Sequence, residues 1–376
     1  MKKTVVWIII ATVCLFFIPS KANALAETSA KAAVIINADT CGQIYAQNAN
    51  ECLPMASTTK IMTALLLCEE ANLDETITVT QQMVAVEGSS MGLLAGDTVS
   101  YHDLLYGLLL ASGNDAANTV AISMYGSVEA FANRMNEKAE QLGLANTHFV
   151  TPSGLDAEKH YTTAYDLACL AAYAIRNEDF LAACSSTIAT LNYGNPPYRR
   201  SLKNHNKLLD SYEGLIGVKT GFTKKSGRCL VTAAKRDGKT VIAVTLNDPN
   251  DWQDHKTMLD YGLSQLECRT LKSPLEQEQI NVVGGTQDKA NIKVLMPQIS
   301  LAQNELQDLK YEILLPKFIY APNGNNQPIG QIKYTLGGKQ LFSAEIVLAE
   351  NITAENIKVD FKQKVWNTFL MMLKQM

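Results

Sequence analysis

Pro54-Met55-Ala56-Ser57-Thr58-Thr59-Lys60-Ile61-Met62-Thr63 is the run from which the rest of the chain is read. The stretch Thr58 to Glu70 carries apolar residues at Ile61, Met62, Ala64, Leu65 and Leu66, which predicts a largely buried helix. With Ser57 at its start, Lys60 lies one turn on and on the same face. A serine hydroxyl is a weak nucleophile and needs an adjacent base. A lysine supplies one only when burial or a neighbouring cation strips its proton. An isolated S-x-x-K is more simply an N-cap serine beside a solvated lysine. Two further strings decide against that: Ser112-Gly113-Asn114 and Lys219-Thr220-Gly221. Each of S-x-x-K, S-x-N and K-T-G occurs once, in that order.

The surroundings give each string a local structure. Residues 31 to 49 read as a hairpin, with Ala33-Val34-Ile35-Ile36 going out and Gln43-Ile44-Tyr45-Ala46 returning. Ser100-Tyr101-His102-Asp103 is a capping box that opens a helix with Leu104, Leu105, Leu108 and Leu109 on its apolar face. Gly113 breaks it, leaving Ser112 and Asn114 at a helix end. Helices follow from Asp115 to Met124, Val128 to Leu142 and Ala164 to Asn177. From about Ile216 the period becomes that of strands. Gly217-Val218-Lys219-Thr220 is one; Arg228 to Lys235 and Thr240 to Leu246 flank the hairpin turn Arg236-Asp237-Gly238-Lys239. Trp252 to Leu266 is a closing helix. The expectation is an α/β unit over 25–268, an antiparallel sheet formed from both ends of the segment with a helical block inserted. A small all-β domain follows over 272–352, without a catalytic cluster.

On a regular strand Lys219 and Thr220 face opposite ways, so a twist or bend near Gly221 is expected if both serve one site. Gly221 admits a close substrate backbone. The cation and hydroxyl suit a carboxylate. The N–H groups of Phe222 and Ser57 are placed to hold an oxyanion.

Composition excludes several classes. The chain has 376 residues, is 47% hydrophobic and carries a net charge of −4, with no long basic run, so nucleic acid is not an expected partner. Lys2 and Lys3, the apolar run Thr4 to Ile18 and the small-x-small site Ala22-Asn23-Ala24 predict a signal peptide over 1–24. Beyond Cys14, seven cysteines remain. Their spacing fits neither a metal site nor a dense disulfide framework, and no cofactor is expected. Most read as buried thiols acting as small hydrophobes. Cys41 and Cys52 flank the first hairpin and are left as a candidate pair. Residues 356–376 carry four lysines against Asp360 alone. Phe361, Val365, Phe369, Met372, Leu373 and Met376 share one helical face, although Leu370 and Met371 fall outside it. That pattern predicts an amphipathic helix at an anionic membrane surface.

The three strings and their contexts resemble those of D-alanyl-D-alanine carboxypeptidases, the low-molecular-mass penicillin-binding proteins. The likeness includes Ala111-Ser112-Gly113-Asn114-Asp115-Ala116-Ala117, His160-Tyr161-Thr162-Thr163-Ala164-Tyr165-Asp166 and Val218-Lys219-Thr220-Gly221-Phe222-Thr223. The resemblance implies that Ser57 is acylated and that Lys60 is its base. It implies that Ser112, Asn114 and Lys219 complete the site. The substrate would be the D-Ala-D-Ala end of peptidoglycan stem peptides, with β-lactams as covalent inhibitors and the outer face of the cytoplasmic membrane as the location. Some members hold the substrate carboxylate with an arginine beyond the third strand. Asn247 to Lys256 contains none, which leaves Lys256, His255 or Arg228 as substitutes, or Lys219 and Thr220 unaided. His160 is expected to be a loop contact rather than a catalytic group. Three other outputs remain open at this stage: a β-lactamase using Glu158, a peptidoglycan endopeptidase, and a non-catalytic wall-binding protein.

Overall fold

A computed structural model describes residues 25–355 together with 365–366. The expected signal peptide and, apart from Val365 and Trp366, the expected terminal helix lie outside the described residues. No described helix is long and apolar enough to cross a membrane.

The first body is built on a five-stranded antiparallel sheet. Strands β1 (Ala32–Asn37) and β2 (Gln43–Gln47) come from one end of the segment, and β7 (Leu215–Thr223), β8 (Gly227–Arg236) and β9 (Lys239–Leu246) from the other. Their order is β2-β1-β9-β8-β7, which leaves β7 at an edge. β1 reads Ala-Ala-Val-Ile-Ile-Asn and is buried throughout because both faces of the sheet are covered. On one face Ile35, Val241 and Ala243 pack against Met258, Leu259 and Leu263 of the closing helix α8 (Asp251–Gln265). On the other, Val34, Ile36, Val231 and Val244 meet the inserted block. That block holds α1 (Lys60–Glu70), entered through a 3₁₀ turn at Ala56–Thr59, and α2 (Gln81–Val84). It continues through α3 (Tyr101–Leu109), α4 (Asn114–Tyr125), α5 (Val128–Gln141), α6 (Ala164–Ala174) and α7 (Glu178–Ser185). A four-stranded sheet completes it: β3 (Thr76–Thr78), β4 (Thr98–Ser100), β5 (Ile188–Gly194) and β6 (Pro197–Lys203).

Ser100 Oγ accepts from Asp103 N, so the N-cap expected there forms. The helix expected from Ala164 to Asn177 instead ends at Ala174. Asn177 starts α7, its side-chain oxygen accepting from Phe180 N at 2.9 Å. Cys41 and Cys52 do not pair. All seven described cysteines are free, and the Cys52 thiol points to the Asn146 carbonyl.

After α8, β10 (Leu266–Thr270) leads to the C-terminal β-unit. Here β11 (Gln279–Val283), β12 (Lys289–Leu295), β14 (Lys310–Leu314), β15 (Phe318–Tyr320), β16 (Pro328–Leu336) and β17 (Lys339–Leu348) form a six-stranded sheet. Its core gathers Ile280, Ile292, Ile332, Ala344, Ile346 and Leu348. β13 (Gln298–Ala302) leaves that sheet to pair with β10, and α9 (Gln303–Asp308) follows it. There the buried carboxylate of Glu305 accepts from Asn37 Nδ2 at 3.0 Å, Ala302 N at 2.7 Å and Thr40 Oγ1. Asn37 Nδ2 also donates to Ser300 O at 2.8 Å. One carboxylate therefore ties the β1–β2 turn to the C-terminal unit. A buried donor left without its acceptor costs about 1–3 kcal/mol. Glu305→Ala is therefore expected to lower unfolding stability by about that amount in denaturant titration, with Glu305→Gln losing less. Unchanged stability in the alanine variant would contradict the role given to this contact.

Candidate active site

Three elements bring the predicted residues together. The 3₁₀ turn carries Ser57, with Ala56 at φ +48°, and α1 begins at Lys60. Lys60 is fully buried. Its Nζ lies 3.0 Å from Ser57 Oγ, 2.7 Å from Asn114 Oδ1 and 2.6 Å from the Ser153 carbonyl. Asn114, the first residue of α4, donates its Nδ2 to the Glu87 carbonyl at 2.6 Å, so its oxygen faces the lysine. Ser112 is buried in the turn before α4 at φ +57°. Among the described residues no hydrogen bond joins its hydroxyl to Lys60. Its place in the site rests on adjacency to Asn114.

The third element is β7. Lys219 is buried, and its Nζ donates to the Thr220 carbonyl at 2.9 Å. A Cβ added at Gly221 would lie 3.1 Å from Met55 O, Ser57 N and Thr58 N, so a side chain there would crowd the turn that carries Ser57. No register shift falls at Gly221. Pairing with β8 is regular from Gly217 to Thr223, and the one register shift lies between Leu215 and Gly217. β7 is an edge strand, so backbone groups on its open side are not taken up by a neighbouring strand. Thr223 N donates to Ser226 Oγ within the β7–β8 hairpin, at 3.0 Å. Alternation then turns the N–H groups of Phe222 and Thr220 to the open edge.

Electrostatics sharpen the picture. Burial takes the Lys60 amine well below its ordinary 10.5, the nearby Lys219 cation pushes the same way, and Asp115 opposes. Burial also lowers Lys219, to about 7. Asp115 serves chiefly as a cradle, accepting from Ser90 Oγ and from the N–H groups of Met91, Gly92 and Leu93. His160 behaves as a loop contact. Its Nδ1 accepts from Val150 N at 2.9 Å and its Nε2 meets Thr59 Oγ1 at 2.8 Å. Thr59 Oγ1 in turn donates to Ala56 O. That pattern fits a neutral ring with its proton on Nε2, and burial lowers His160 to about 4. Among the described residues no group of three or more metal-ligating side chains exists.

The family model for D-alanyl-D-alanine carboxypeptidase matches residues 19–250, more than half of the chain. The chain belongs to this family. A second model, for the C-terminal domain of penicillin-binding protein 5, matches residues 272–354. D-alanyl-D-alanine carboxypeptidase DacF of Bacillus subtilis is 32% identical over 388 residues, covering 98% of this chain and 97% of its own. Among solved structures, the Streptomyces K15 DD-transpeptidase has 35% identity and a TM-score of 0.61, covering 64% of this chain and 98% of its own. Penicillin-binding protein 5 of Haemophilus influenzae has 26% identity and a TM-score of 0.64, covering 88% and 99%.

Within this carboxypeptidase, the candidates for a substitute carboxylate-binding cation divide clearly. His255 is fully buried between Thr232 Oγ1 and Thr245 Oγ1. Arg228 pairs with Asp251 at 2.8 Å and lies over Trp252. Lys219 stands on β7, whose Gly221 lies against the Ser57 turn. Sequence reasoning misses the carbonyls of Ser153 and Glu87, since a main-chain acceptor has no side-chain signature. It also misses the Asp115 cradle, although Asp115 sits inside a quoted motif.

A lowered lysine pKa extends the active, neutral form toward lower pH. Lys219→Gln removes a like charge, so Lys60 rises and the acidic limb of penicillin acylation moves to higher pH. Second-order acylation constants measured across pH in both forms check this. A limb that stays or moves down would contradict it.

Proposed function

We propose that Ser57 is the nucleophile of this serine-type D-Ala-D-Ala carboxypeptidase and Lys60 its general base. The observation carrying the assignment is the 3.0 Å contact between a fully buried Lys60 amine and Ser57 Oγ. In the forward step neutral Lys60 takes the hydroxyl proton as Ser57 Oγ attacks the carbonyl of the penultimate D-alanine. The N–H groups of Ser57 and Phe222 hold the oxyanion. Asn114 orients the lysine and a substrate carbonyl, and Ser112 passes the proton to the departing amine. Lys219 and Thr220 hold the terminal carboxylate, and Gly221 lets the substrate backbone lie along the open edge of β7. D-alanine leaves, and water then hydrolyses the Ser57 ester.

The substrate is the terminal D-alanine of peptidoglycan stem pentapeptides. A β-lactam offers a strained amide beside a carboxylate and forms the same ester. Glu158 is exposed in the loop after Ser153, a poor station for a deacylating carboxylate, so the penicilloyl ester should persist. The protein acts outside the cytoplasm after removal of residues 1–24, held at the membrane surface by the lysine-bearing helix over 356–376.

Release of D-alanine from a pentapeptide should fall by about 10³-fold or more in Ser57→Ala. Penicillin should label Ser57 and no other serine. Lys60→Arg should lose acylation by about 10²–10⁴-fold, because a guanidinium keeps its proton. An adduct mapped to another serine, or near-normal acylation in Lys60→Arg, would remove the assignment. Deleting residues 356–376 should free the mature protein from anionic vesicles with Ser57 acylation intact; a truncated form that still sediments with vesicles would refute the anchor.

A further inference from the structure

Away from Ser57, a cavity of about 420 Å³ opens where the first body meets the β16–β17 turn of the C-terminal unit. Cys41, Tyr165, Cys169 and Arg176 line it on one side, Lys339 and Gln340 on the other. Cys41 stands in the β1–β2 turn at φ +58°, and Cys169 lies on α6. Tyr165, one turn earlier on α6, donates its hydroxyl to the Cys41 carbonyl at 3.3 Å. Arg176 donates to the carbonyls of Ala38 and Asp39 at 3.4 and 3.3 Å. The turn is thus pinned at Ala38, Asp39 and Cys41 by Tyr165 of α6 and Arg176 just beyond its end. Both thiols are free and only partly buried, unlike those of Cys184 and Cys229.

We propose that Cys41 and Cys169 are a redox pair that closes a disulfide between the β1–β2 turn and α6 when the protein meets a small disulfide such as oxidised glutathione. The Cys41 thiolate attacks one glutathione sulfur and expels the first glutathione as thiolate. The Cys169 thiolate then attacks the Cys41 sulfur and expels the second. Two protein thiols are oxidised, one glutathione disulfide is reduced, and the two thiol protons end on the two glutathiones. The direct interaction with Cys169 brings Cys41 down to about 7 against the effect of burial; Arg176 and Lys339 add to the lowering and Glu305 opposes it. The same interaction raises Cys169, with Asp166 adding to the rise and Tyr165 opposing it. Cys41, in a turn that shares the cavity with the cations of Arg176 and Lys339, is assigned as the attacking thiol, and Cys169 on the helix as the resolving one. The bond would join residues far apart in sequence and so restrain the unfolded chain.

The test treats reduced, purified full-length protein with oxidised glutathione near neutral pH, then alkylates, digests and maps it by mass spectrometry. The expected result is one linked peptide pair containing Cys41 and Cys169, with the thiol count in denaturant lower by two. In Cys169→Ser the link should be absent and Cys41 should keep its glutathione, while penicillin labelling of Ser57 shows that the variant is folded. A wild-type protein that accumulates glutathione on Cys41 without the link, links Cys41 to Cys52, or leaves both thiols unreacted would overturn the proposal.

Discussion

An amine taken fully out of water beside a second buried amine cannot keep an ordinary pKa, and the catalytic body is arranged around that constraint. Lys60 sits at the start of α1, whose residues from Lys60 to Leu67 are all buried. Its three hydrogen-bond partners come from the 3₁₀ turn, α4 and the loop that follows α5. The loop is itself held, with Thr63 Oγ1 donating to the Pro152 carbonyl at 2.6 Å and His160 fixed between Val150 and Thr59. Lys219 contributes through charge, because a like cation nearby favours the neutral form of Lys60. An active site can hold an expensive buried lysine only if surrounding packing fixes it, and here the largest apolar cluster does so.

The sheet supplies the second half of the site by being open at one edge. The order β2-β1-β9-β8-β7 brings the two ends of the segment together through β1 and β9 and leaves β7 uncovered beside the Ser57 turn. In the proposed reading, a substrate chain laid along that edge meets backbone groups already directed outward, so little needs to move. Gly221 is the position where this closeness is visible, a Cβ there falling 3.1 Å from Ser57 N.

Much of this is legible in the sequence, for a physical reason. Spacings of three, two and one residue fix which side chains share a helix face, a turn or a strand, so Ser57, Lys60, Asn114 and Lys219 emerge from pattern alone. The hairpin at Asp237-Gly238 reads equally well, both residues taking positive φ. Other features carry weaker signals. The β5–β6 hairpin alternates Ala189, Leu191 and Tyr193 inward, but its turn at Asn195-Pro196 lacks the usual Asn-Gly or Asp-Gly mark. The early end of α6 turns on Asn177 preferring to cap the next helix. The return of β13 to β10, the Glu305 contact and the meeting of Cys41 with Cys169 join residues distant in sequence, where no local period reports them.

The central claim is that Lys60 is neutral at working pH because it is buried beside Lys219. The most direct measurement is the titration of Lys60 by ¹³C NMR of its Cε, in protein with labelled lysines assigned by Lys60→Arg. The account predicts a Cε signal of a neutral amine at neutral pH, with a transition well below the ordinary 10.5. A Lys60 signal that remains that of an ammonium until the pH approaches 10.5 would contradict it.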